Sequence, residues 1–277
     1  MRILVFLSAL LAFAPGLAFA QATQPLALDA RLTEEGEVIS NGLTWRIFSS
    51  QADSSGKHQL IANGEGGAMR FNLLPGSYLV HAAYGRAGAT KQIEMGAEPL
   101  EETVLLRAGG LQVSANTGDS PIDPEKLVFS IYDVEQDASG NRKLIALNVK
   151  ANSIVRLNEG IYHVLSRYGD INATVRADLQ VRAGEVTRAE LLHRGAEVDL
   201  RLVSREGGPP IASTQWTILT ADGAKVFSSN SISPQMVLAE GEYEVNVRNG
   251  ERVYRKVFNV KAGDHTRIEV RLDEDAV

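Results

Sequence analysis

Acidic side chains alternate along Asp133-Val134-Glu135-Gln136-Asp137, just before Ala138-Ser139-Gly140-Asn141. Carboxylates at every second position are how an EF-hand loop gathers oxygens around calcium. The pattern then departs from that loop. Glycine arrives two residues late, at 140, and position twelve is Leu144 where a bidentate glutamate belongs. A hairpin turn accounts for the same composition. A second acidic loop, 119–125, has the same standing. Calcium at Asp133, Glu135 and Asp137 is therefore the weaker reading, and no metal or cofactor is assigned.

Histidine offers the next chemistry. The five are His58, His81, His163, His193 and His265. None pair at a metal-ligand spacing, and none shares a position within the repeat described below. Each reads as a surface histidine. His81 and His163 sit next to valines of inward parity, which turns them to solvent. The chain has no G-x-S-x-G elbow, no H-E-x-x-H and no glycine-rich phosphate loop. With no cysteine, disulfides, thiolate metal sites and cysteine nucleophiles are excluded. No enzyme is read here.

Charge narrows the partners. Residues 24–108 carry 7 basic and 10 acidic side chains, 109–195 carry 10 and 11, and 196–277 carry 10 and 13. No unit concentrates positive charge, so nucleic acid is not an expected partner.

The first twenty residues have the layout of an export signal. Arg2 is the positive end, 3–14 is apolar, Pro15-Gly16 breaks the run, and Ala18-Phe19-Ala20 is an A-x-A cleavage site. The expected mature chain starts at Gln21, exported to the periplasm or beyond. No later stretch is long enough to span a bilayer as a helix. An aromatic content of 6% is too low for the girdles of a membrane barrel. No membrane insertion of the mature chain is expected.

The elements that would position any site come from a repeat. Residues 45–89 superimpose on 129–173 without a gap, at an offset of 84. Trp45 falls on Phe129, Tyr78 on Tyr162 and Tyr84 on Tyr168. A third, shorter copy places Trp216 and Tyr243 on the same pattern. The units run 24–108, 109–195 and 196–274. They abut without a Pro-rich or Ser-rich linker, so they should stack end to end with limited freedom.

Every periodicity in a unit is two. Trp45-x-Ile47, Phe129-x-Ile131 and Trp216-x-Ile218 alternate, as does Tyr78-x-Val80-x-Ala82-x-Tyr84. Such alternation sets one strand face in a core and the other in water. In the first unit strands are expected near 25–32, 43–49, 58–63, 68–73, 77–84, 90–95 and 101–107. Seven short strands without a helix predict a two-sheet sandwich. The fold class is all-β: three tandem seven-stranded immunoglobulin-like sandwiches after the signal segment.

One phrase recurs in each unit: Leu73 to Gly76 to Tyr78, Leu157 to Gly160 to Tyr162, and Leu238 to Gly241 to Tyr243. Leucine ends a strand, glycine turns the chain, and tyrosine opens the next strand. Glycine suits a turn that needs positive φ or close backbone approach. The tyrosine ring points inward and its hydroxyl reaches backbone in the crossing, as in a tyrosine corner. Trp45, Phe129 and Trp216 are the large core residues between the sheets.

These phrases, with V-x-A-G-E-x-T at 181–187, resemble small bacterial sandwich modules of the carboxypeptidase-regulatory-like, PEGA-like and pilin-B-type group. The resemblance implies an extracytoplasmic spacer, stalk or binding platform. The lysine–asparagine isopeptide bond common in pilin-B-type modules is not carried over, because the opening strands PLALDARL, LQVSA and VDLRL hold no lysine. The tail of transthyretin-like hydrolases is missing too. The reading is an exported, non-catalytic envelope scaffold whose partner is an envelope protein or a polysaccharide. A glycan- or cell-wall-binding module is the alternative. It would need an exposed ring at Tyr84 or Tyr168.

Overall fold

The computed structural model describes residues 22–118, 120–273 and 275–276. The expected signal segment 1–20 and Asp119 lie outside the described residues. The first sandwich is built from β1 (Gln24–Arg31), β2 (Leu43–Ala52), β3 (His58–Gly66), β4 (Met69–Leu73), β5 (Gly76–Tyr84), β6 (Ala87–Met95) and β7 (Leu100–Leu105). The second holds β8 (Ala108–Asn116), β9 (Leu127–Gln136), β10 (Arg142–Lys150), β11 (Ile154–Asn158), β12 (Gly160–Tyr168), β13 (Thr174–Val181) and β14 (Val186–Leu192). The third holds β15 (Gly195–Val203), β16 (Thr214–Thr220), β17 (Lys225–Ser229), β18 (Gln235–Ala239), β19 (Gly241–Asn249), β20 (Arg252–Val260) and β21 (His265–Arg271). A single 3-10 turn, Pro124–Lys126, precedes β9.

Each sandwich pairs a three-stranded sheet with a four-stranded one. In the first the orders are β4-β1-β7 and β3-β2-β5-β6, and the other two repeat them. The strand that opens each unit is central in its small sheet. It runs antiparallel to the fourth strand and parallel to the last, with Leu26 opposite both Phe71 and Leu100. That parallel closure sets the first and last strands side by side and pointing the same way, so the chain enters a sandwich at one pole, leaves at the other and opens the next directly.

The cores follow the alternation. Leu26, Leu28, Trp45, Ile47, Val80 and Ala82 are buried in the first. Leu111, Phe129, Ile131 and Val164 hold the same places in the second, and Val198, Trp216, Ile218 and Val245 in the third. Burying one such aliphatic side chain contributes about 1.5–3 kcal/mol. The indole N–H groups stay paired despite burial. Trp45 donates to Gly67 O at 2.8 Å and Trp216 to Ser231 O at 2.8 Å. Phe129 fills the same place with no donor to satisfy.

Candidate functional site

The repeated turn has one geometry. Gly76, Gly160 and Gly241 take φ of +157°, +154° and +153°. A β-carbon there would meet nothing closer than 3.7 Å, so glycine is required by the backbone angle and not by space. Two residues on, each tyrosine hydroxyl donates to the carbonyl four residues back. Tyr78 reaches Leu74 O, Tyr162 reaches Asn158 O and Tyr243 reaches Ala239 O, all at 3.0 Å. Burial pushes the Tyr162 and Tyr243 hydroxyls up from their ordinary value, which keeps them donors. Leu73, Leu157 and Leu238 anchor the turns from the core side.

The acidic loop is a hairpin turn. Asp137 Oδ1 accepts from Ser139 N and Asn141 N, both at 2.9 Å, and Asp133 Oδ1 accepts from Glu135 N at 3.3 Å. Asp53 does the same for Ser55 and Lys57 in the first sandwich. Among the described residues no group of three or more His, Cys, Asp or Glu side chains could hold a metal ion. Nor is any helix there long and apolar enough to cross a membrane.

Four histidines lie on outward positions, each tied to a neighbour. His58 Nδ1 is 2.8 Å from Ser49 O, His81 Nδ1 is 2.9 Å from Thr90 Oγ1, and His163 Nδ1 is 2.6 Å from Asp178 Oδ1. His265 stands between Glu197 and Asp199. His193 corrects the expectation of a surface residue, for it is 1% exposed. Its Nε2 lies 2.8 Å from the hydroxyl of the fully buried Ser166, and its ring meets the edge of Tyr168. Burial lowers its proton affinity. The sequence carried the signal. Ala189, Leu191 and His193 share one strand parity, and Leu191 is buried.

The polar groups that the fold gathers are at the two junctions between sandwiches. At the first, Glu159 N donates to Arg107 O at 2.7 Å, and the two side chains approach to 3.8 Å. At the second, Glu240 N donates to Arg194 O at 2.7 Å, and the side chains pair at 2.7 Å. Just inside each boundary a turn glycine closes onto the opening strand of the sandwich that follows. Gly184 N donates to Ala108 O and Gly263 N to Gly195 O, at 2.8 and 3.0 Å.

An asparagine clasps each junction, but from opposite sides. Asn158 accepts from Gly88 N at 3.1 Å and donates to Gly88 O and Leu106 O at 3.1 and 2.8 Å. In the second junction the asparagine stands where Gly88 was. Asn172 accepts from Ala239 N at 2.9 Å and donates to the Tyr243 hydroxyl at 2.8 Å. Tyr84 and Tyr168 also belong here. The Arg156 guanidinium sits 4.3 Å above the Tyr84 ring. Tyr168 is 5% exposed, and its hydroxyl donates to Glu197 at 3.3 Å. Burial, then the Glu197 charge, pushes that hydroxyl up to about 12.

Residues 197–272 match a family model described as the Rhizobiales growth-associated tandem repeat domain. No curated protein matches the chain. Solved structures similar to it include the TIE protein of Bacillus anthracis, at 16% identity over 90% of this chain and 50% of that one, with a TM-score of 0.26. The minor pilin of Streptococcus agalactiae is 13% identical over 61% of this chain and 95% of its own, with a TM-score of 0.33. The major pilin subunit of Bacillus cereus is 8% identical over 90% and 99%, with a TM-score of 0.26. The chain thus spans half the length of the TIE protein.

Proposed function

We propose that the chain is an exported, non-catalytic scaffold of the cell envelope, with units at 24–108, 109–195 and 196–274 and a leader removed after Ala20. Its work is to hold three sandwiches in fixed succession, as a platform for an envelope protein. The finer likeness to carboxypeptidase-regulatory-like, PEGA-like or pilin-B-type modules belongs to this reading. The growth association in the family description suggests a scaffold that serves envelope growth.

The observation that carries the proposal is the repeated junction. An arginine–glutamate pair, a backbone bond beneath it, a turn glycine bonded to the opening strand and an asparagine clasp recur at both boundaries. A flexible linker would need none of them. The glycan-binding alternative is weaker, because Tyr84 lies under Arg156 and Tyr168 is nearly buried. Neither offers a free face to a sugar ring.

In-cell cross-linking of the tagged protein, followed by mass spectrometry, tests the proposal. A dominant protein partner is the expected result. Retention of polysaccharide or peptidoglycan fragments without a protein partner overturns it in favour of glycan binding. Sequencing the exported protein's N-terminus should return Gln21. Recovery of residues 1–20 would remove the cleaved leader from the proposal.

A further inference from the structure

A cleft of about 290 Å³ opens beside the second junction, between the turn at 169–171 and the outer face of the β18-β15-β21 sheet. Its lining has three characters. Ile171, Phe227, Met236 and Val237 are apolar, Asp170, Glu197 and Asp199 are carboxylates, and Lys126 and His265 are basic. Glu197 is already engaged, by Lys126 and by the Tyr168 hydroxyl.

Asp199 is not. Its side chain is only 7% exposed, yet no described residue donates a hydrogen bond to it. Among the described residues the side chain that approaches it as an ion-pair partner is His265, whose Nε2 is 3.7 Å away, beyond hydrogen-bond reach. Arg267 stands opposite it in the strand register but forms no ion pair with it. A buried carboxylate without donors is costly to keep. The other sandwiches avoid that cost at the same register position. The first has Ala27. The second has Gln112, which donates to Asn152 O at 2.8 Å and accepts from Arg188 Nε at 3.1 Å. At that position only the third sandwich has an acid, and it faces the apolar-walled cleft; the first sandwich has an unpaired carboxylate oxygen two residues further along its opening strand, on Asp29.

An apolar wall beside a desolvated carboxylate suits one chemistry: an aliphatic stem ending in a cation. A divalent metal is a poor fit, since no set of three or more ligating side chains is gathered among the described residues. We propose that this cleft binds an alkylammonium or alkylguanidinium group, carried by a lysine or arginine side chain of a partner or by a small free amine. The head pairs with Asp199, and the stem lies along Val237, which shares its face, toward Met236 and Phe227 at the β18 edge. The proposal stands whether or not the protein is an envelope scaffold.

The test is a methyl-labelled NMR titration with pentylammonium, with methylammonium, with acetyl-Gly-Lys-Gly-amide, and with sodium chloride at matched ionic strength. Saturable shifts at the Ile171, Met236 and Val237 methyls are expected with pentylammonium, the tripeptide or both. The one that binds identifies the source of the cation. In Asp199→Asn, which keeps the shape, affinity should fall at least tenfold. Equal shifts with sodium chloride, or unchanged affinity in Asp199→Asn, overturn the site. Methylammonium binding as well as pentylammonium overturns the role of the apolar wall. If Asp199→Asn disturbs the fold, Phe227→Ala decides. It should weaken pentylammonium and leave methylammonium unchanged, and equal effects on both would sink the proposal.

Discussion

The two junctions solve one problem with the same backbone and different side chains. Both use a linker arginine, a glutamate amide and a glycine in the left-handed region that nests against the next sandwich. In the first, Arg156 Cβ would stand 3.0 Å from a methyl added at Gly85. In the second, Val237 Cβ would stand 2.7 Å from one at Gly169. The clasping asparagine changes sides, from Asn158 to Asn172. The layer beneath the linker changes character, from Leu106 and Ala82 to His193 and Ser166. Backbone geometry is thus the shared requirement, and the side chains are exchangeable so long as each polar group finds a partner.

The largest effect expected from breaking this arrangement is at the packed glycines. Gly250 provides the internal control. It has φ +60° like Gly169 at +68°, but no described atom lies within 4 Å of a methyl added there. Gly250→Ala should cost about 1–2 kcal/mol, the penalty of a left-handed alanine. Gly169→Ala adds an overlap with Val237 Cβ, 2.7 Å from the new methyl, and should cost more, with faster hydrogen exchange across the second junction. Equal losses in the two variants would mean that the junction is loose.

The clasp comes next. Asn158→Ala removes three hydrogen bonds at the first junction, worth about 2 kcal/mol together. Adding Gly88→Asn moves the asparagine to the side it occupies in the second junction. Space allows it if the His81 ring, 3.1 Å from the new β-carbon, and the Ala82 carbonyl, 3.3 Å from it, both shift slightly. Denaturant unfolding should show the double variant recovering at least half of the loss. No recovery would mean that the two clasps are not equivalent.

Period-two alternation made the strands, the cores and the tyrosine turns legible before any coordinates. It speaks of one strand at a time. The parallel pairing of β1 with β7 was not legible, because it joins segments about seventy residues apart and leaves no local pattern. The junctions were equally silent. Asn158 and Asn172 look like ordinary turn residues until the next sandwich is in place. His193 was different, since its parity with Leu191 announced burial and its residue type argued the other way.

That histidine separates the junctions by pH. Its proton affinity is lowered in the folded protein, so the unfolded chain binds the proton more tightly. The stability that neutral His193 supports is therefore present above the ordinary value of 6.5 and is lost as pH falls below it. The facing groups are the Ser166 hydroxyl and the Tyr168 ring, neither of which supplies a compensating charge. Burial also lowers the proton affinity of His81 in the first sandwich, so the comparison is of the second sandwich with itself: hydrogen exchange at pH 7.5 and at about pH 5 should show it loosening at the lower pH, where the first has a layer of Leu106 and Ala82. The pair Ser166→Ala with His193→Leu, which copies that layer, should abolish the difference. A difference that survives the double variant must arise elsewhere.

The smallest effect is at the arginine–glutamate pairs, and it is small for a physical reason. Arg194 is 76% exposed and Arg107 65%, so water and salt screen both. Glu240→Gln should cost at most about 1 kcal/mol, and Glu159→Gln less, since the first pair is separated by 3.8 Å and the second by 2.7 Å. Both losses should shrink in high salt. A salt-insensitive loss, or a larger one at Glu159, would mean that these side chains act through something other than charge, above the unchanged backbone bond from the glutamate amide. That bond is 2.7 Å at both junctions and survives either substitution, so it can hold the linker while the charges above it vary.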